Sequence, residues 1–125
     1  MDAGDTFFLN GAAADGHLWV IISDPTNHPD RVLFVSMTSY DVTKEEVCLI
    51  NNGEHPFVKH KTCISYGHAR IATTAQLLKL RNEGLVLPSE PVSAELLARI
   101  RAGVSPTRQI KAEYIDLMGD QGLLD

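Results

Sequence analysis

The sequence predicts an α+β domain, on three observations. Apolar runs rich in β-branched and aromatic residues, punctuated by Gly, Pro, Asn and Asp, fill roughly the first 70 residues. Beyond them the apolar spacing becomes helical, framed by Ser or Thr caps and glycine stops. The turns between neighbouring strand-like runs are too short for parallel crossovers, so the strands should pair antiparallel.

Each element follows from local chemistry. Residues 6–9, TFFL, form a short strand after Gly4-Asp5, and 10-NGAAADG-16 is a small-residue loop. The run 17-HLWVIIS-23 is a strand that stops at the turn signal Asp24-Pro25. Two prolines and an Asn make 25-PTNHPD-30 a loop, since they cannot continue a ladder. A near-continuous apolar strand follows, 31-RVLFVSMTS-39, and a turn through Asp41–Glu46 leads to 47-VCLI-50. The segment 51-NNGEHP-56 closes that strand, and the fifth lies within 62-TCISYGHA-69.

Thr73 or Thr74 caps a helix over 75–82 that Gly84 ends, and 85-LVLPSEP-91 reads as a linker. Ser93 caps a second helix with Glu95 in its first turn, Arg99 and Arg101 in its last, and Gly103 as its stop. Ser105-Pro106 starts a third, whose Ile110, Tyr114 and Leu117 recur at helical spacing before Gly119. The expected architecture is a small antiparallel SH3-like β-barrel over 1–72 followed by C-terminal helices over 73–125, one domain in all.

At 125 residues the chain can bury a core without a structural metal or a disulfide scaffold. Its 44% hydrophobic and 22% charged residues are those of an ordinary soluble domain. The longest candidate for a membrane span, 18-LWVII-22, is strand-sized, so no membrane association is expected. An acidic start, MDAGDTFF, lacks the cationic opening of a signal peptide, and Cys48 and Cys63 sit in no zinc or CxxC spacing. The expected location is the cytoplasm, with both thiols reduced. A net charge of −5 argues against loose binding to polyanions, while leaving room for a local basic groove.

Such a groove has a candidate. From His55 to Asn82 there is no Asp or Glu, yet the window holds Lys59, Lys61, Arg70, Lys79, Arg81 and three of the five histidines. If 62–70 alternates as a regular strand, Thr62, Ile64, Tyr66, His68 and Arg70 share one face, and Cys63, Ser65, Gly67 and Ala69 the other. A buried face would not hold Arg70 without a partner, so the first face should meet solvent or a ligand. Lys and Arg donate to phosphate oxygens, and Tyr66 or Phe57 can stack on a base. His60 lies just before the strand. Histidine transfers protons near neutral pH, so the set suits RNA cleavage in which a 2′-hydroxyl attacks the adjacent phosphate without metal or cofactor. The same composition also describes a solvated basic rim carrying structural histidines.

Other chemistry finds less support. His55, His60 and His68 stand five and eight residues apart, outside recurrent ligand spacings, and the acid-free window they share supplies no carboxylate ligand, so no metal is expected. Nothing local activates a Cys-His pair. The hydroxyls of 36-SMTS-39 either donate to a phosphate or satisfy their own turn. His17 should lie at the barrel mouth, His28 in a plain loop and Trp19 in the core.

In order, 4-GDTFFL-9, 17-HLWVIIS-23 and 32-VLFVSMTS-39 resemble the MazF/PemK/Kid family of toxin ribonucleases over roughly residues 4–80. That family opens a strand with Gly-Asp, follows with Arg-Pro-x-apolar-Val-Val-Ser, and ends a further apolar strand in Thr-Ser. The resemblance implies a homodimeric SH3-like barrel that cleaves single-stranded RNA without metal and is held inactive by an antitoxin encoded beside it. By position, Thr38 corresponds to the phosphate-contacting Thr, and His17 stands where the family places a catalytic Arg. Because His17-Leu18 replaces Arg-Pro, charge stabilisation would come from Arg70, Lys61 or His60.

The expected site therefore comprises His17, His60, Arg70 and Thr38 in catalysis, with Lys59, Lys61, Tyr66, His68 and Ser36 on the substrate. His60 or His17 would transfer protons. The rival expectation is a non-catalytic barrel, a binding or interaction module of a phage or mobile element.

Overall fold

In the computed structural model, which describes residues 1–11, 14 and 16–124, all five expected strands form. They are β1 (Thr6–Leu9), β2 (Leu18–Ile21), β3 (Val32–Ser39), β4 (Leu49–Ile50) and β5 (Thr62–Ala72). Then come α1 (Thr74–Asn82), a further strand β6 (Val86–Ser89), α2 (Ala94–Ala102) and α3 (Ala112–Asp120). The strands make one curled antiparallel sheet in the linear order β4-β5-β3-β2-β1-β6. Of the small-residue loop expected over 10–16, residues 12, 13 and 15 lie outside the described residues.

Alternation gives the sheet two faces with different cores. On one, Leu18 and Val20 of β2 join Leu33, Val35 and Met37 of β3 under Leu96 and Ile100 of α2 and Leu117 and Met118 of α3. On the other, Phe7, Trp19, Ile21, Val32 and Phe34 pack with Leu77 of α1 and Val86 of β6. Phe34 takes edge-on contacts from Phe7 at 5.3 Å and Trp19 at 5.4 Å between ring centroids. Such aromatic pairs contribute about 0.5–1.5 kcal/mol beyond their buried area. Along β3 this second face then turns polar, passing from Val32 and Phe34 to Ser36 and Thr38. The apolar half is roofed by α1, and the polar half is not.

The helix caps follow the sequence closely. Thr73 and Gln76 form a reciprocal capping box, and Ser93 accepts from the Leu96 amide at 3.1 Å. Three expectations need correction. Residues 86–89 are no linker: they pair with β1 from Thr6↔Ser89 to Leu9↔Val86. Pro88 is tolerated because β6 is an edge strand, where a missing N–H breaks no interior ladder. This pairing also ties the expected helical part, 73–125, back to the expected β part.

Pro106 does not start α3, which begins at Ala112. Glu45 captures the intervening chain instead, accepting from the Thr107 hydroxyl at 2.7 Å and the Arg108 amide at 3.2 Å. Gly119 lies inside α3, and the left-handed stop is Gly122 at φ 71°.

Candidate functional site

The polar half of the second face holds a cleft of about 280 Å³ lined by His17, Trp19, Ser36, Thr38, Ser65, His68 and Arg70. Strand β2 and the residue before it supply Trp19 and His17. Strand β3 supplies Ser36 and Thr38 at consecutive same-face positions. The contribution of β5 depends on an irregularity. Its register with β3 runs regularly from Ser39↔Thr62 to Ser36↔Ser65, then jumps to Phe34↔Arg70. Residues 66–69 are thus extra chain opposite Val35 alone, a large bulge.

The bulge reverses the parity of the strand. Ladder partners share a face, so Cys63, Ser65 and Arg70 lie on the cleft side with Thr38, Ser36 and Phe34. Regular alternation would have put Ser65 and Arg70 on opposite faces. His68, within the bulge, lines the same cleft.

Tyr66 goes the other way. It is 1% exposed in the core, where its hydroxyl donates to the Ile100 carbonyl at 2.7 Å and burial pushes its phenol well above its usual pKa. Tyr66 therefore lies in the core and not in the cleft it was expected to line. The core claims it because a phenol can bury its ring once its hydroxyl has an acceptor.

Two further clefts adjoin the first. One, of about 260 Å³, shares His17 and Thr38 with it and adds Phe57, Lys59 and His60. The other, of about 210 Å³, shares Thr38, Ser65 and His68 and adds Lys44, Glu45 and Gln109. Thr38 stands where all three meet. Of the nine residues expected at the site, His17, Ser36, Thr38, His68 and Arg70 line the first cleft and Lys59 and His60 the second. Lys61 is in none of them; its ammonium sits over the Tyr40 ring, 4.9 Å from the centroid.

Hydrogen bonds orient the histidines differently. His17 Nδ1 lies 3.1 Å from the Met37 carbonyl, which can only accept, so Nδ1 carries the proton. His60 Nε2 meets the Ser39 hydroxyl at 2.7 Å, and His68 Nδ1 meets that of Ser65 at 2.6 Å. His55, from the same acid-free window, is 3% exposed and away from the clefts. Its Nδ1 accepts the Phe57 amide at 3.1 Å and its Nε2 donates to the Glu90 carbonyl at 2.6 Å. That is a structural histidine.

The cleft is electropositive in character. Its seven lining residues include no carboxylate, and Arg70 has no acidic partner among the described residues. The guanidinium lies over the Trp19 ring, 4.8 Å from the centroid, an arrangement worth about 0.5–1 kcal/mol at an exposed site. Among the described residues, Ser36, 3% exposed, makes no side-chain hydrogen bond, and the buried Trp19 Nε1 has no hydrogen-bond partner. Lys44 approaches the Thr38 hydroxyl at 3.4 Å as a donor, which leaves that hydroxyl's own proton to be donated elsewhere.

No group of three or more His, Cys, Asp or Glu is placed to hold a metal ion among the described residues. Burial raises the thiol pKa of both Cys48 and Cys63, and both are buried and free of disulfides. Ser65 also lines the first cleft although it is not among the residues expected there, and its signal in the sequence is a hydroxyl three residues before a histidine.

Among the described residues no helix is long and apolar enough to cross a membrane. Compared with models of protein families, with curated proteins and with solved structures, the chain matches none.

Proposed function

We propose that the protein is a metal-free endoribonuclease of toxin type, acting on single-stranded RNA in the groove centred on Thr38. One observation carries the reading: two imidazoles, a guanidinium and three hydroxyls line a single cleft without a carboxylate. Such a set attracts a phosphodiester and supplies the proton donors and acceptors its cleavage needs.

In the reaction the 2′-oxygen bonds to phosphorus, the bond from phosphorus to the 5′-oxygen breaks, and a 2′,3′-cyclic phosphate remains. His17 or His60 takes the 2′-hydroxyl proton, and the leaving 5′-oxygen receives one. Arg70 stabilises the charge that develops on the phosphoryl oxygens, the task left open by His17-Leu18 in place of Arg-Pro. Thr38 and Ser36 orient the phosphate, and Lys59 guides the backbone in the adjoining cleft. Phe57, 38% exposed beside Lys59 and His60, offers a face on which an unpaired base stacks.

On this reading the curled sheet is a variant of the SH3-like barrel. The protein acts in the cytoplasm as a homodimer and is restrained by an antitoxin.

The test is incubation of pure protein with mixed RNA in EDTA. Cleavage that His60→Ala and Arg70→Ala abolish is the expected result, and intact RNA at every protein concentration ends the enzymatic reading. The absent Arg-Pro favours a second reading, a non-catalytic binding or interaction module of a phage or mobile element. Expression without a partner separates the two, since a toxin arrests its host and a binding module does not.

A further inference from the structure

Trp19 lines the first cleft although it is only 1% exposed. Over its ring lies the Arg70 guanidinium, 4.8 Å from the centroid. Trp19 stands opposite Ser36 on one side of β3, and Arg70 stands opposite Phe34 on the other. The two side chains therefore meet above β3.

They are held there differently. Phe34 packs against the indole with ring planes at 82°, and both rings belong to the second core. Arg70 is exposed, and among the described residues its side chain makes no hydrogen bond and no ion pair. The ring is thus a fixed surface, and the guanidinium is a loose cover on it.

We infer that Trp19 is a base-stacking platform and that Arg70 covers it in the free protein. The inference rests on the reading of this cleft as a site for single-stranded RNA, and names the residue that receives a base there. A guanidinium is planar and stacks on aromatic faces, so it fills the place of a base while the cleft is empty. A nucleotide serves both partners. Its phosphate takes the guanidinium into a charge-assisted, bidentate pair, and its base covers the indole instead. Both exchanges are favourable, because the contact given up is an exposed cation–π pair, the weakest of the three. The switch needs only a rotamer change in one exposed side chain. A phosphate without a base draws Arg70 away and leaves the indole bare, so the cleft selects a nucleotide over its phosphate alone.

Trp19 is the only tryptophan, so the emission of the full-length protein reports the exchange. One probe is a short 2′-O-methyl oligoribonucleotide, which lacks the attacking hydroxyl and stays intact. The other is the same backbone without bases. Quenching that saturates with the first and is absent with the second is the expected result. Acrylamide should quench free Arg70→Ala more strongly than the free wild type. Trp19→Leu should weaken binding of the first probe, read as anisotropy of a label on it, by about fivefold to a hundredfold, and Trp19→Phe by less. Urea denaturation shows whether each variant is folded. Equal quenching by the two probes, binding without quenching, no binding, or an indole as shielded in Arg70→Ala as in the wild type overturns the inference. RNA left intact by the wild type, beside base-dependent quenching, overturns the cleavage reading and leaves Trp19 as the platform.

Discussion

The Tyr66 hydroxyl fills the space that a side chain on Gly103 would need: a Cβ built there would lie 2.1 Å from the hydroxyl oxygen. That hydroxyl also donates to the Ile100 carbonyl at 2.7 Å, in the last turn of α2. The first residue of the bulge is thereby pinned to the C-terminus of a helix on the far face of the sheet. Ser65 and His68, on either side of the bulge's start, inherit their places in the cleft from that anchor.

Gly103→Ala should therefore act on the cleft from the opposite face. The methyl group would displace a buried phenol with no room to retreat, at a cost of about 1–3 kcal/mol typical of overpacking. Urea denaturation measures the loss. RNA cleavage per folded molecule should fall with it, although Gly103 touches none of the cleft residues.

Arg70→Ala should leave stability nearly unchanged, since the side chain is exposed and gives up chiefly its stacking on Trp19. Its effect should fall on the chemistry, lowering kcat by about 10²–10³-fold as for loss of a donor to a developing oxyanion. Arg70→Lys should recover only part, because an ammonium lacks the planar fork. Melting curves beside single-turnover cleavage assays separate the two effects.

His55→Ala should do the reverse. It leaves the Phe57 amide without its acceptor and removes one of two donors to the Glu90 carbonyl, the other being the Thr6 hydroxyl. A loss of about 1–3 kcal/mol is expected for such buried groups, with kcat per folded molecule intact. A defect in kcat comparable to that of His60→Ala would contradict this separation.

Glu54 gives the fold a dependence on pH. Its hydrogen bond and ion pair with Arg99 hold its carboxyl below the ordinary value of 4.5. The stabilisation is complete above that value and is lost as pH falls through the lower, folded-state one. Glu54→Gln should accordingly show a smaller drop in urea midpoint than the wild type between about pH 6 and about pH 3.

Much of this architecture is legible in the sequence alone. Strands such as 32–39 reveal themselves because consecutive Val, Leu, Phe and Val fit a pleat buried on both sides. The caps at Thr73 and Ser93 are equally local, each needing only a hydroxyl placed before a helical run. Strand β6 was hidden by Pro88, whose cost depends on whether the strand lies at an edge. The start of α3 was hidden because Glu45, 62 residues away, competes for the chain near Thr107.

The site divides in the same way. By itself the sequence determined that a segment free of carboxylates carries the imidazoles and the guanidinium, since composition is indifferent to folding. It also showed that the strand 31–39 ends in the hydroxyls of Ser36, Thr38 and Ser39, because the apolar run before them is local. Only the tertiary structure decided that Tyr66 turns inward, that Ser65 turns outward, and that His68 and Arg70 meet β3 in one cleft. The physical reason is the bulge at 66–69 opposite Val35: Gly67 is a local sign of it, but the Ile100 carbonyl that holds Tyr66 inward lies 34 residues away.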